Sequence, residues 1–524
     1  MRTKITYSLA AALLCAATAF AQPTVKVQNG TLEGISLPKS NITVYLGVPF
    51  AKPPLGDLRW REPQPAANWA GVRKADHFAG QAMQGRVFAD MVFRSSGITE
   101  DCLYLNVWTP AKTSAAKLPV LVYFYGGGLV GGDGSEPRYD GESMATKGIV
   151  AVTVNYRLGI FGFFSHPELT KESPHHASGN YGYLDQSAAV QWVKHNIAAF
   201  GGDPDKITIA GESAGSISTA AQMASPLTRN LIAGAIGESG APFKPTLAPM
   251  PLVDCEKLGE AFAAKEGVST LADLRAIPAD KLLADASKPG YFRMSTAIDG
   301  YFLPKSPNDI YAAGEQAHVP LLAGWNSAEV PFQALMGNDA PSPANYEKTV
   351  KGLYPNNAGE VLMLYPGKDT AQVITSATAL ASDRFIVYST WKWLDESAKT
   401  GGKPVYRYLF SKMRPAMVNP GPVKPGKYPP AGASHASEIE YALGNLAGNN
   451  VYAWTADDEK ASATMEEYFA NFIKTGNPNG KGLPKWPAVK PGVPAQYINI
   501  NANTKAETET TRNRYLFLDK QYVK

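Results

Sequence analysis

The middle of the chain alternates between apolar runs and one long stretch of helical periodicity. Residues 118–125, 148–156 and 206–210 are nearly uninterrupted apolar runs, which is typical of strands buried on both faces of a sheet. Between the second and third runs, apolar residues recur at helical spacing over residues 184–199. This strand–helix–strand order predicts an α/β protein with a large, mostly parallel central sheet flanked by helices.

The flanking regions extend this pattern without dividing it. No repeat or linker interrupts the chain, so we predict one domain over residues 22–524 with helical insertions. The further predicted elements are a β-rich lead-in at 24–50, helical segments at 245–315 and 345–400, strands at 317–325 and 405–410, Pro/Gly-rich loops at 412–433, a polar surface loop at 500–510 and a last strand at 515–518.

The first residues have the pattern of a targeting signal. Arg2 and Lys4 precede a mostly apolar stretch at residues 7–17, and Ala19-Phe20-Ala21 is a small-x-small cleavage site. We therefore predict a signal peptide at residues 1–21 and export to the periplasm or the extracellular space. No later stretch is long and apolar enough to predict a membrane span.

Composition narrows the possible functions. Hydrophobic residues make up 44% and charged residues 18%, the balance of an ordinary globular protein. The formal net charge is only +4, and Arg2 and Lys4 of the signal contribute to it, so nothing indicates nucleic-acid binding. Cys102 and Cys255 are expected to be buried free thiols rather than a disulfide. No cofactor or metal is expected, and the oligomeric state stays open.

A Gly-x-Ser-x-Gly turn supplies the first candidate chemistry. Gly211-Glu212-Ser213-Ala214-Gly215 follows the apolar run at 206–210 and precedes a helix of small residues. A strained strand-to-helix turn of this kind exposes the serine hydroxyl above the sheet as a nucleophile. The bare motif arises often by chance, so its position between strand and helix is what favours catalysis over a tight turn with a capping serine.

A run of three glycines lies about 85 residues upstream of Ser213, after the apolar run at 118–125. The backbone N–H groups of Gly127, Gly128 and Ala214 are candidates for an oxyanion hole. A flexible turn is the alternative, and a phosphate loop is disfavoured because no Gly-Lys-Ser/Thr follows.

The candidate base follows from chain order. Hydrolases with this serine turn carry the nucleophile, the acid and the histidine in that order, and only His318 and His435 follow Ser213. His318 stands at a strand entrance, whereas His435 lies in a Gly/Ala/Ser loop that suits a mobile base. Many carboxylates lie between Ser213 and His435; Glu329, just after the strand at 317–325, is the best placed.

Together these and further segments resemble the type-B carboxylesterases, the α/β-hydrolase family that includes cholinesterases and bile-salt-activated lipases. The resemblance implies the α/β-hydrolase fold, Ser213 as nucleophile, Glu329 as acid, His435 as base, an oxyanion hole at Gly127, Gly128 and Ala214, and a small-molecule ester as substrate. The matching segments lie at 100–107, 125–128, 155–159, 179–186, 200–204, 211–215, 299–300 and 474–478.

Some positions depart from that family. Ala82 stands where the family has a cysteine bonded to the equivalent of Cys102, and Glu329 lies in Ala-Glu-Val instead of Asp-Glu-Gly. No Trp occurs between residues 82 and 100, which disfavours a cholinesterase.

Three further points stay open. Glu212 either tunes the field at the site or is a helix-start carboxylate favoured by the dipole. A non-catalytic binding or adhesion module is the alternative function. A metal hydrolase is disfavoured, because adjacent His175 and His176 are poorly placed to bind one ion.

Overall fold

The computed structural model describes residues 22–88, 90–419 and 427–523. The predicted signal peptide, residues 1–21, lies outside the described residues. The strands are β1 (Thr24–Val27), β2 (Gly30–Glu33), β3 (Ile35–Leu37), β4 (Ile42–Pro49), β5 (Val72–Lys74), β6 (Gln81–Ala82), β7 (Ile98–Thr99), β8 (Tyr104–Thr109), β9 (Leu118–Phe124), β10 (Val150–Val154), β11 (Gly202–Glu212), β12 (Gly234–Glu238), β13 (Met250–Pro251), β14 (Ala297–Ile298), β15 (Leu321–Asn326), β16 (Val405–Phe410), β17 (Gln496–Ile500) and β18 (Lys505–Thr508).

Helices lie between the strands, and two of them are joined by a π-helical turn at Asp383–Val387. The helices are α1 (Glu142–Thr146), α2 (Gly159–Gly162), α3 (Pro167–Glu172), α4 (Tyr181–Asn196), α5 (Ala214–Ala224), α6 (Leu252–Glu266), α7 (Leu271–Ala276), α8 (Ala279–Ala286), α9 (Pro307–Ala312), α10 (Gln333–Met336), α11 (Pro343–Leu353), α12 (Ala358–Leu364), α13 (Thr370–Ser382), α14 (Tyr388–Thr400), α15 (Ile439–Ala442), α16 (Ala456–Thr475) and α17 (Arg512–Tyr522).

An 11-stranded mixed sheet runs through the molecule in the order β18-β17-β16-β15-β12-β11-β9-β10-β8-β4-β3. Every pairing from β10 across to β17 is parallel, and the pairings at both edges are antiparallel. The apolar runs at 118–125, 148–156 and 206–210 become the adjacent central strands β9, β10 and β11, with helices such as α5 packed on the sheet. Such strands are buried on both faces, which is why their sequences lack a polar alternation.

The helical insertions are also present as predicted. Helices α6 to α9 occupy the region 245–315, and α11 to α14 occupy 345–400. Helix α4 begins three residues before the predicted segment and is followed by a short 3-10 turn at Ile197–Phe200. Most of α4 is buried all round, so its apolar residues do not form a single stripe.

The prediction for the end of the chain was wrong. Residues 500–510 contain the turn and the second strand, β18, of an antiparallel hairpin with β17 instead of an irregular loop. Tyr515–Leu518 belongs to helix α17 instead of a strand. Strand β18 is an edge strand with mostly exposed side chains, so its backbone pairs without an apolar pattern. A run of four apolar residues cannot distinguish a strand from a helix by periodicity alone. In the structure, the Tyr515 ring stacks on the Trp391 ring with centroids 5.5 Å apart.

The cysteines agree with the sequence prediction. Cys102 and Cys255 are both buried and form no disulfide in the described chain. Ala82, at the position where the family has the partner of Cys102, is buried and lines the same small cavity as Cys102. The ends of the intervening loop are joined by the short parallel pair β6 and β7 in place of a covalent bond.

Among the helices of the described segments, none combines the length and the apolar character needed to cross a membrane.

Candidate active site

Ser213 stands in a strained turn between β11 and α5. Its backbone has φ 54° and ψ −118°, a region that a non-glycine residue adopts only when the surroundings impose it. The Ser213 N–H donates to the Glu238 carbonyl at 2.7 Å. A Cβ atom on Gly215 would lie 2.0 Å from the Phe124 carbonyl oxygen, and one on Gly211 would lie 2.5 Å from the Gly215 carbonyl carbon. Both glycines of the motif are therefore required by close backbone packing.

The imidazole of His435 lies between a hydroxyl and a carboxylate. Its Nε2 atom is 2.9 Å from Ser213 Oγ, and its Nδ1 atom is 2.6 Å from Glu329 Oε2. The His435 N–H also donates to the Glu329 carbonyl at 3.1 Å, so backbone and side chain join the two loops. The three residues selected in the sequence are thus brought into one hydrogen-bonded chain.

Glu329 is held from three sides. Its Oε1 atom accepts from the Asn326 N–H at 2.6 Å and from Ser239 Oγ at 2.7 Å, while Oε2 faces His435. The side chain is fully buried. These bonds fix the carboxylate in place although the flanking residues depart from Asp-Glu-Gly.

The other histidines considered in the sequence lie elsewhere. His318 is exposed and its Nε2 donates to the Gly314 carbonyl at 2.8 Å. His175 stacks on Tyr301 with ring centroids 3.7 Å apart. Within the residues described, no group of three or more His, Cys, Asp or Glu side chains is arranged to hold a metal ion.

The glycine loop packs directly against the serine turn. Gly127 and Gly128 have φ angles of 109° and 66°, and a Cβ on Gly127 would lie 2.1 Å from the Gly131 carbonyl oxygen. A Cβ on Gly126 would lie 2.5 Å from Glu212 Oε2 and 3.1 Å from Ser213 Cβ. The loop can therefore approach the serine turn only because Gly126 lacks a side chain, and it folds tightly on itself only because Gly127 does.

Three buried carboxyl groups surround the Ser213–His435–Glu329 chain. Glu212 Oε1 lies 3.4 Å from His435 Nε2, on the same side as Ser213. Glu438 accepts from Asn326 Nδ2 at 2.6 Å and from Ser239 Oγ at 3.2 Å. Glu238 accepts from Tyr123 Oη at 3.0 Å. Sequence reasoning considered Glu212 but missed Glu238 and Glu438, although Glu438 follows His435 by only three residues.

Burial and the charges of neighbouring groups shift the pKa values of these carboxyl groups and of His435. Burial, reinforced by the charge of Glu438, raises the pKa of Glu212 to about 8. Burial and the charge of Glu329 raise the pKa of Glu438 to about 7. For His435, burial acts to lower the pKa, but the carboxylates of Glu212 and Glu329 outweigh it and raise the pKa to about 9. The protonated imidazole of His435 is therefore the favoured counter-charge for the buried carboxyl groups around it.

An apolar pocket borders the glycine loop. It has a volume of about 420 Å³, within the range of small-molecule sites. The Met91 methyl group lies 3.0 Å from the position of a Gly127 Cβ, and Gln84 joins the pocket to the loop through two 2.8 Å hydrogen bonds with the Gly132 backbone. The apolar lining consists of Val87, Phe88, Met91, Val92, Phe93 and Ile98.

The comparison with known proteins identifies the family of the chain. The Carboxylesterase family model matches residues 21–518. The chain belongs to the carboxylesterase family. It is 34% identical to the medium-chain fatty acyl-CoA hydrolase precursor of Anas platyrhynchos, over 95% of this chain and 92% of that protein. It is 33% identical to liver carboxylesterase 1 of Oryctolagus cuniculus, over 99% and 97%, and 33% identical to fumonisin B1 esterase of Sphingopyxis macrogoltabida, over 88% and 83%.

Membership fixes the fold and the general activity of the chain. The fold is the α/β-hydrolase fold, and the protein is a carboxylic ester hydrolase. The relatives are named for chemically different substrates, so the family alone does not select a substrate for this chain.

The buried carboxylates predict an unusual titration for His435. We expect its imidazole to stay protonated well above the ordinary value of 6.5, and the Glu212→Gln substitution to lower its pKa, because a neutral amide no longer favours the cation. Nitrogen NMR of the histidine side chains over a pH series measures both values. Glu347→Gln, at a half-exposed side chain on α11, is the control and should change nothing. A wild-type His435 that titrates at or below 6.5 would contradict the expectation.

Proposed function

We propose that this enzyme hydrolyses carboxylic esters through an acyl-enzyme intermediate on Ser213. In this proposal Ser213 is the nucleophile, His435 the general base and Glu329 the acid that orients it. The observation that carries the proposal is the continuous hydrogen-bonded chain, 2.9 Å from Ser213 Oγ to His435 and 2.6 Å from His435 to Glu329.

Acylation is the first half of the proposed reaction. Ser213 Oγ attacks the ester carbonyl carbon while the neutral form of His435, whose share grows as the pH rises towards the imidazole pKa of about 9, takes the hydroxyl proton at Nε2. The carbonyl oxygen becomes an oxyanion, and we assign its stabilisation to the N–H groups of Gly127, Gly128 and Ala214. Collapse of the tetrahedral intermediate breaks the ester C–O bond, and His435 gives its proton to the departing alcohol.

Deacylation repeats these steps with water. His435 removes a proton from a water molecule, which attacks the acyl carbon and forms a second oxyanion at the same N–H groups. Breakdown releases the carboxylic acid and returns the proton to Ser213. Glu329 Oε2 accepts a hydrogen bond from His435 Nδ1 and stabilises the imidazolium that forms in each half. All groups in this scheme come from the chain itself, so it requires no cofactor.

The proposal predicts the loss of activity in Ser213→Ala. We expect the rate of hydrolysis of short p-nitrophenyl esters to fall by about 10⁴-fold or more, because no other group supplies the nucleophile. Circular dichroism should show an unchanged fold. Ser287→Ala, at an exposed serine directly after helix α8, is the control and should keep full activity.

Covalent labelling separates this proposal from the alternative of a non-catalytic binding module. A fluorophosphonate probe should modify wild-type protein at Ser213, as found by peptide mass spectrometry, and should leave Ser213→Ala unmodified. Hydrolysis that survives in Ser213→Ala, or a wild-type serine that does not react, would overturn the assignment.

We further propose that the substrate carries an apolar group next to the ester bond. Support comes from the pocket beside Gly127, whose apolar lining includes Val87 and Val92 with about half of each side chain exposed. A hydrocarbon chain in this pocket would cover surface that is otherwise left in water, at about 0.8 kcal/mol per buried methylene.

Val92→Asn tests this substrate preference. We expect KM for a p-nitrophenyl octanoate ester to rise by about fivefold to tenfold, with little change for the acetate, because only the long chain reaches the pocket. Val253→Asn on α6 is the matched control, since Val253 is 56% exposed against 54% for Val92 and does not line the pocket. Equal effects on both esters, or none, would exclude the pocket as the chain site.

We also propose that the protein is exported, with residues 1–21 as a cleaved signal and residues 22–524 as one mature domain. The charged start, the apolar stretch and the Ala19-Phe20-Ala21 site support this. Expression in a bacterial host should deliver protein to the periplasm or the medium with Gln22 as its first residue, as read by intact mass. An uncleaved chain that stays in the cytoplasm would refute export.

A further inference from the structure

The turn that follows His435 has a backbone conformation that needs support. Ala436 has φ 61°, in the left-handed region that glycine adopts freely and alanine does not. The turn is closed by the Ser437 N–H, which donates to the Ser434 carbonyl at 3.1 Å. Because Ala436 directly follows His435, relaxation of this residue would swing the imidazole away from Ser213.

One guanidinium holds the turn in this conformation. Arg414 Nη2 donates to the Ala436 carbonyl at 2.7 Å and to Glu440 Oε2 at 2.7 Å. Only 11% of the Arg414 side chain and 1% of the Glu440 side chain are exposed. Charge-assisted hydrogen bonds between groups that are shielded from water are strong and directional. The carbonyl that follows the imidazole is therefore tied to a buried ion pair.

Arg414 is itself fixed to a separate part of the chain. Its guanidinium lies 4.9 Å from the Tyr452 ring centroid and donates to the Tyr452 hydroxyl at 3.3 Å. The backbone after Arg414 pairs with the segment around Tyr452, through Val418 N–H to the Val451 carbonyl at 2.9 Å. Glu440 is held in turn by Asn449 Nδ2 at 2.7 Å. The residues that make the contact with the Ala436 carbonyl are thus themselves held in place.

We propose that Arg414 is a positioning residue for His435: through the Ala436 carbonyl it holds the left-handed turn that points the imidazole at Ser213. The inference rests on the proposed function of His435 as the base. Arg414 touches neither Ser213 nor His435 in the described contacts, so its effect is exerted through the backbone. A displacement of the imidazole by about 1 Å is enough to cost on the order of 100-fold in rate.

The test compares two variants of the same ion pair. Arg414→Lys keeps a positive charge near Glu440, but its shorter side chain does not reach the position of Nη2, the one nitrogen that makes both bonds. We expect kcat for p-nitrophenyl acetate to fall by about 10-fold to 100-fold, with KM within about twofold. Glu440→Gln keeps Arg414 on the Ala436 carbonyl and should retain kcat within about threefold. Thermal unfolding of both variants shows whether either has simply lost stability.

A rescue experiment excludes a merely structural role. Glycine adopts a positive φ without strain, so Ala436→Gly in the Arg414→Lys background should restore at least about fivefold of the lost kcat. An equal loss of kcat in Arg414→Lys and Glu440→Gln, in proportion to their loss of stability, would overturn the proposal. So would a double variant no faster than Arg414→Lys.

His435→Ala, measured beside these variants, separates the two proposals. If His435→Ala is inactive while Arg414→Lys has wild-type kcat, the positioning role of Arg414 is wrong and the base assignment stands. If His435→Ala keeps its activity, the base assignment is wrong and the role of Arg414 falls with it.

Discussion

The close packing of the serine turn against the end of β9 is the constraint on which the rest of the site depends. Gly215 lies so near the Phe124 carbonyl that no side chain fits between them, and Gly211 is equally confined. This packing forces Ser213 into a positive φ and lifts its hydroxyl above the sheet. The strain is sustained because β11 is paired on both sides, with β9 and β12.

Parallel strands bring the remaining groups to the same edge. Strands β9, β11, β12 and β15 are adjacent and parallel, so the loops that follow them meet at one end of the sheet. The glycine loop, Ser213, Ser239 and Glu329 each follow one of these strands. Residues distant in sequence therefore become neighbours without any long excursion of the chain.

The electrostatic character of the site comes from burial. Glu212, Glu238, Glu329 and Glu438 are all nearly inaccessible, and the imidazole of His435 lies among them. Burial disfavours the ionised form of Glu212 and Glu438, and repulsion between the carboxylates adds to this, so the pKa values of both rise. Burial acts to lower the pKa of His435, but the neighbouring carboxylate charges outweigh it and raise that pKa. The field at the serine is thus a property of the whole cluster rather than of one acid.

The sequence by itself determined the central sheet, the serine turn and the glycine loop, because each depends on local physics. Apolar runs indicate strands that are buried on both faces. Gly126, Gly127, Gly211 and Gly215 stand where the backbone has no room for a side chain. The short apolar run at 515–518 did not settle the type of the last element, which is a helix whose Tyr515 packs against Trp391.

Only the tertiary structure decided which distant groups meet. His435 lies 222 residues from Ser213 and 106 from Glu329, and chain order left many carboxylates eligible as its partner. No periodic pattern in the sequence indicates that Glu238 and Glu438 are buried. None indicates the hydrogen bond from Arg414 to the Ala436 carbonyl either. These contacts arise from how loops pack on the sheet, and a one-dimensional pattern does not record that packing.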